Sequence, residues 1–196
     1  MKIDLNGLWM LKNSKYGTLP VSIPGSVLSC LLDNKKVDDP YFRDNEYKIA
    51  KILDDDFTFV RQFKLTKEQL NNKNYLCFDG VDTIADIFIN NDLIYKNYNA
   101  HLPQKLLLDN SILKEENEIL IKTYSPQKFA YDLSQKYEGF KSTAYNDVYY
   151  TAIRKPHYMF GWDWGPALPD SGIYRDIYIE STNIGILTSI RYETTF

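Results

Sequence analysis

Phe57-Thr58-Phe59-Val60-Arg61-Gln62-Phe63-Lys64-Leu65 alternates with a period of two. Phe57, Phe59, Phe63 and Leu65 share one face with Arg61, while Thr58, Gln62 and Lys64 face away. A helix would scatter these aromatic residues around its axis; a strand collects them on one side of a sheet. The same kind of signal recurs downstream. Tyr75-Leu76-Cys77-Phe78 reads as a short strand, and Thr83-Ile84-Ala85-Asp86-Ile87-Phe88-Ile89 as another that ends in Asn90-Asn91-Asp92. Asn and Asp tolerate left-handed backbone, so this is a hairpin signal, with Leu93-Ile94-Tyr95 returning from it. Glu118-Ile119-Leu120-Ile121-Lys122-Thr123-Tyr124 and Ile173-Tyr174-Arg175-Asp176-Ile177-Tyr178-Ile179-Glu180 complete the clear strands.

Helix signals are few. Ser26 caps a short helix over Val27-Leu28-Ser29-Cys30-Leu31-Leu32. Ser125-Pro126 starts a second, with residues 127–137 forming about three turns before Gly139. Asn45-Glu46 falls in a polar loop. Short strands separated by turn residues predict an all-β sandwich with one or two short helices, not an alternating α/β sheet. Residues 1–182 form this domain. Ser181-Thr182-Asn183-Ile184-Gly185 resembles a linker, and Ile186-Leu187-Thr188-Ser189-Ile190-Arg191-Tyr192 restarts a strand-like pattern. Residues 183–196 are therefore either a linker with the start of a following domain or a terminal edge strand.

The chain of 196 residues is 44% hydrophobic and 15% aromatic, enough to fill the core of one large domain. Its formal charge of −3 and the lack of a basic stripe argue against a nucleic-acid or anionic-membrane partner. Cys30 and Cys77 are expected to be a reduced pair, since a domain of this size needs no staple. His101 and His157 have no spacing with them that suggests zinc, and no metal or cofactor is expected. Met1-Lys2-Ile3-Asp4-Leu5-Asn6-Gly7 carries an acid at its fourth position and lacks an apolar leader core, so the expected location is the cytoplasm.

One segment carries chemistry: Arg154-Lys155-Pro156-His157-Tyr158-Met159-Phe160-Gly161-Trp162-Asp163-Trp164-Gly165-Pro166. An indole packs on the apolar face of a sugar ring, and a carboxylate accepts hydrogen bonds from vicinal hydroxyls. Gly and Pro on either side argue for a fixed loop. The other reading is a buried Trp pair with Asp163 as a turn or cap residue.

The segment closely resembles the Phe-Gly-Trp-Asp-Trp-Gly-Pro signature of β-mannosidases in glycoside hydrolase family 2. Other elements agree in order: Asn6-Gly7-Leu8-Trp9, Pro24-Gly25, Asp39-Pro40-Tyr41 with Asn45-Glu46, and Phe59-Val60-Arg61-Gln62-Phe63. Phe78-Asp79-Gly80-Val81-Asp82-Thr83-Ile84-Ala85, Asn117-Glu118-Ile119-Leu120-Ile121 and Gly172-Ile173-Tyr174-Arg175 follow. The resemblance spans residues 4–181. The early elements are shared with the family's galactosidases and glucuronidases; the Trp-Asp-Trp segment is the specific one. Departures are Pro156 and His157, where small or polar residues are usual, and Asn91, where Gly is common.

The resemblance implies a jelly-roll β-sandwich, like a galactose-binding domain, packed beside a separate (β/α)₈ barrel that holds two catalytic Glu residues. It implies that Trp162, Asp163 and Trp164 contact a terminal β-mannoside-like sugar in the pocket of that barrel, with Asp163 on a sugar hydroxyl. The family's acid/base Glu follows an Asn in the barrel; Asn45-Glu46 and Asn117-Glu118 lie outside any barrel context, and neither is read as catalytic. A retaining glycosidase needs two carboxyls about 5–5.5 Å apart, and the sequence nominates no such pair. The expected role is a non-catalytic domain of a retaining exo-β-mannosidase-like hydrolase. The alternatives are a free-standing carbohydrate-binding module, a purely structural sandwich, or the equivalent domain of another family 2 hydrolase such as a β-galactosidase.

Overall fold

The computed structural model describes residues 1–137, 149–185 and 189–195. The chain opens with β1 (Lys2–Asp4), β2 (Gly7–Asn13), β3 (Gly17–Ile23) and β4 (Gly25–Ser26), then α1 (Val27–Asp33) and α2 (Asn45–Leu53). Next come β5 (Phe57–Lys64), α3 (Lys67–Leu70), β6 (Lys73–Phe78), β7 (Val81–Asp82) and β8 (Ala85–Ile89). β9 (Asp92–Asn97), β10 (Gln104–Leu107), β11 (Glu116–Thr123) and α4 (Pro126–Lys136) follow. β12 (Phe160–Trp162), β13 (Gly165–Ala167), β14 (Gly172–Ile173) and β15 (Ile177–Thr182) complete the order.

Two antiparallel sheets form an all-β sandwich. One has the order β3-β2-β5-β11-β8-β9 and the other β1-β15-β6-β10. Phe57, Phe59, Ile87, Ile119 and Ile121 of the first sheet share one apolar core with Leu76, Phe78, Ile177 and Ile179 of the second. The alternation in β5 has its predicted consequence: Phe57, Phe59 and Phe63 are buried, and Gln62 and Lys64 are exposed. Arg61 lies on the same side as those aromatic residues, and its guanidinium donates to the carbonyl oxygens of Leu5, Asn6 and Leu8. Trp9 Nε1 donates to the Leu5 oxygen as well, at 2.7 Å. One charged side chain thus ties β5 to the segment that leads into β2.

Local chemistry explains the expected elements. Ser26 caps α1 with a reciprocal pair of hydrogen bonds to Ser29, and Ser125 caps α4 with Pro126 in its first turn. Asn90 and Asn91 both have positive φ, the left-handed pair that a two-residue hairpin turn requires. The expected strand from Ile173 to Glu180 is two strands instead. Gly172–Ile173 pairs with β4 and β7 in a small third sheet, and Ile177–Thr182 joins the four-stranded one.

Other expectations need correction. Asn45-Glu46 is not in a loop; it opens α2, whose inward side carries Ile49 and Leu53 four residues apart. Four α-helices stand among the described residues, more than the one or two expected. β2 and β3 form a long hairpin with Pro20 in β3. The proline is tolerated because β3 is the edge of its sheet. Gly139, expected to end the helix over 127–137, lies outside the described residues, as do 186–188 of the strand-like tail. Cys30 and Cys77 are both free and buried, and burial pushes the Cys30 thiol up to about 11.

Candidate functional site

The Trp-Asp-Trp segment is a β-hairpin. Phe160 pairs with Ala167 and Trp162 with Gly165, which leaves Asp163 and Trp164 as a two-residue turn. Gly161 has φ +99°, a conformation closed to most side chains, and a Cβ there would also press within 3.3 Å of the Ala167 side chain. The base of the hairpin is held by packing. Phe160 is buried with Ile84, Ala130 and Ile153, and its ring stacks on Tyr150 with centroids 5.3 Å apart.

The tip faces outward. Trp162 is 51% exposed, Trp164 is 84% exposed, and Asp163 is exposed between them. The two indoles meet edge to face with centroids 5.9 Å apart. They are not the buried core pair of the bland reading; the buried Trp is Trp9. Two hollows flank the tip. One, of about 410 Å³, has the hairpin on one side and Tyr41, Arg43, Glu46 and Tyr47 on the other. The second, of about 530 Å³, adds Leu28, Tyr158 and Met159 to the two indoles. Tyr41, Tyr47 and Tyr158 are themselves well exposed, so the tip stands among aromatic faces.

Glu46 has a role that its sequence context did not reveal. Its Oε1 accepts a hydrogen bond from the Ala167 backbone amide at 2.7 Å, so α2 holds the returning strand of the hairpin. The Asn-Glu pair that resembles an acid/base motif is therefore an anchor. Glu46→Ala should speed hydrogen exchange at the Ala167 amide by about tenfold or more, because a charge-assisted bond contributes about 1.5–3 kcal/mol. Amides of β11 should keep their protection. Unchanged exchange at Ala167 would show that the hairpin is held without Glu46.

Beneath the site lies a buried charge. The Lys155 side chain is wholly buried and its Nζ donates to Asp82 Oδ2 at 2.6 Å and to the Asp170 carbonyl. Asp170 Oδ1 accepts from the amides of Leu28 at 3.0 Å and Ser171 at 2.8 Å. Burial pulls the Lys155 pKa below the usual lysine value, against the opposing pull of Asp82. Burial likewise raises that of Asp170. This knot joins β7, the start of α1 and the segment that leads into the hairpin. No composition signal marks it, because its partners lie far apart in the chain.

Comparisons with known proteins match the domain as a whole. Residues 9–175 match the family described as glycosyl hydrolase 2 galactose-binding domain-like. The chain is 31% identical over 193 residues to a β-mannosidase of Capra hircus, covering 94% of this chain and 22% of that protein. Against a probable β-mannosidase of Caenorhabditis elegans it is 30% identical over 188 residues, covering 90% of this chain and 21% of the relative. The solved β-D-mannosidase of Dictyoglomus thermophilum superposes with a TM-score of 0.85 at 28% identity, over 93% of this chain and 23% of that one. An exo-chitosanase of Amycolatopsis orientalis shares the fold, with a TM-score of 0.67 at 19% identity over 93% of this chain and 21% of the other. The chain thus spans about a fifth of the length of the relatives it matches. It belongs to the galactose-binding domain-like family of glycosyl hydrolase 2, and is an all-β sandwich of the kind found as the N-terminal domain of β-mannosidases.

Proposed function

We propose that this chain is the non-catalytic N-terminal domain of a retaining exo-β-mannosidase-like hydrolase, whose (β/α)₈ barrel receives the Trp162-Asp163-Trp164 turn as part of its terminal-sugar subsite. The reading rests on one observation: an anchored hairpin presents two indoles and a carboxylate outward from a well-packed sandwich. A core role would bury them. In the proposed complex the indoles pack on the sugar's C–H face and Asp163 accepts from its hydroxyls. The domain supplies binding and orientation, and the two catalytic carboxyls come from the barrel.

The test has two arms. Reading the coding sequence past Phe196 should reveal several hundred further residues with alternating strand and helix periods; a stop codon close behind would overturn the proposal. The 196-residue chain by itself should hydrolyse no aryl β-mannoside, β-galactoside or β-glucuronide. Turnover that survives repurification and disappears on changing an Asp or Glu of this chain would also overturn it. Mannose should bind the chain only weakly, since an open half-site leaves most of the ring in water. A micromolar dissociation constant by calorimetry would instead favour a free-standing carbohydrate-binding module.

A further inference from the structure

A third concavity, of about 840 Å³, shares Tyr158 with the hollow beside the indoles but is otherwise lined by different residues. Three separate segments bring basic side chains to it: His101, then Arg154 and His157, then Arg175 all line it, and all are exposed. Among the described residues no Asp or Glu lines it. In a chain with 26 acids against 23 bases, that is a local reversal of the overall charge.

The nearby acids are occupied elsewhere. Asp82 is paired with the buried Lys155 at 2.6 Å. Asp170 is buried and holds two backbone amides. Asp176, next to Arg175 in the chain, accepts instead from the Asn6 side chain at 3.0 Å and lies 4.0 Å from Lys2. Among the described residues neither Arg154 nor Arg175 has an ion-pair partner. Two arginines without an ion-pair partner among the described residues therefore line one hollow.

The wall that carries them is built closely. The Tyr174 ring lies so near Gly80 that a Cβ there would come within 2.7 Å of it, and its hydroxyl donates to the Ala100 carbonyl. The Arg175 guanidinium sits 5.4 Å from the centre of that ring. Arg154 is held through its backbone, whose carbonyl accepts from the Ala100 amide at 2.9 Å beside a bridge to Asn99. The same short segment thus secures both arginines. Tyr158, 72% exposed, adds an aromatic face to the opening.

We propose that the cleft between Arg154 and Arg175 binds an acidic sugar, its carboxylate held by the two guanidinium groups and its ring set against Tyr158 and Tyr174. Arginine presents paired donors that match a carboxylate, and an aromatic ring matches the apolar face of a pyranose. The volume suits one or two sugar residues. The two arginines line only this cleft, while Tyr158 also lines the hollow beside the indoles.

The chain has two His residues, and both line this cleft, so their imidazole proton signals report on it directly. Titration of the 196-residue chain with sodium galacturonate should shift both signals along one saturable curve, which weakens as salt is added. Galactose, which lacks the carboxylate, should leave them in place, and inorganic phosphate should bind more weakly than galacturonate. Arg154→Gln and Arg175→Gln should each weaken binding by about tenfold, the loss of one charge-assisted bond. Arg175→Lys should recover part of that loss. The same spectra show whether each variant is folded. The proposal fails if galacturonate produces no saturable shift, if galactose moves the signals equally, or if both Gln variants bind as well as the parent. Phosphate binding as tightly as galacturonate would mark a simple anion site and would also overturn it.

Discussion

Asp163→Ala should lower kcat of the whole polypeptide towards an aryl β-mannoside by on the order of a hundredfold, and leave the melting temperature of the 196-residue chain nearly unchanged. The two halves of this expectation have different causes. A hydrogen bond to a charged group contributes about 1.5–3 kcal/mol. Bonds to sugar hydroxyls that strengthen in an oxocarbenium-like transition state appear in kcat and not only in KM. Stability should be spared because Asp163 is exposed at the hairpin tip, where substitutions usually stay within about 0.5 kcal/mol. The structural alternative predicts the reverse. If Asp163 chiefly braces the turn, its removal strands backbone donors at a cost of about 1–3 kcal/mol, and the loss appears in the melt of the chain by itself. Asp163→Asn separates charge from shape, since it keeps the acceptor oxygen but weakens a charge-assisted bond by about half. A pair of melts and a pair of rate constants decide. A large loss of stability with near-normal turnover would sink the sugar-contact role.

The legibility of this fold in its sequence follows from how cleanly each element separates its two faces. β5 was readable because its buried side carries Phe57, Phe59 and Phe63 while Gln62 and Lys64 face water. β2 was not, because Leu8 and Met10 stand on its outer side, 66% and 37% exposed, and hide the alternation with buried Trp9 and Leu11. α1 and α4 carry side-chain caps at Ser26 and Ser125. α2 has Asp44 at its start without a side-chain capping bond, and few apolar residues, so its nine residues passed for a loop. The site shows the same limit. Two Trp around an Asp suggest sugar contact, but the same residues fit a buried pair. Only the folded hairpin, with Asp163 and Trp164 as its turn and both indoles exposed, separates the two. Glu46 is 121 positions from Ala167 and Lys155 is 73 from Asp82. Contacts at that separation leave no local pattern, whereas caps and turns do.

The second large effect concerns Lys155. Lys155→Met should destabilise the 196-residue chain by about 3–5 kcal/mol, because it leaves the Asp82 carboxylate buried without its partner. For a domain of this size that corresponds to a fall of roughly 6–20 °C in melting temperature. The side chain of Lys155 is fully buried and that of Asp82 is 5% exposed, so water cannot readily replace the lost ammonium. Asp82→Asn in the same background should recover part of the loss by removing the orphaned charge, although the amide still lacks its partner. The double variant is the discriminating measurement: if it melts below Lys155→Met, Asp82 is not the group that suffers when the lysine is removed. Lys155 also donates to the Asp170 carbonyl, while Asp170 holds the Leu28 and Ser171 amides. Loosening that knot frees the chain five residues before Phe160, where the hairpin begins. A mild substitution that left the chain folded should therefore broaden the orientations of Trp162 and Trp164. In the whole polypeptide, the loss should fall on kcat through a less well-placed turn, although Lys155 itself is too deeply buried to touch a sugar.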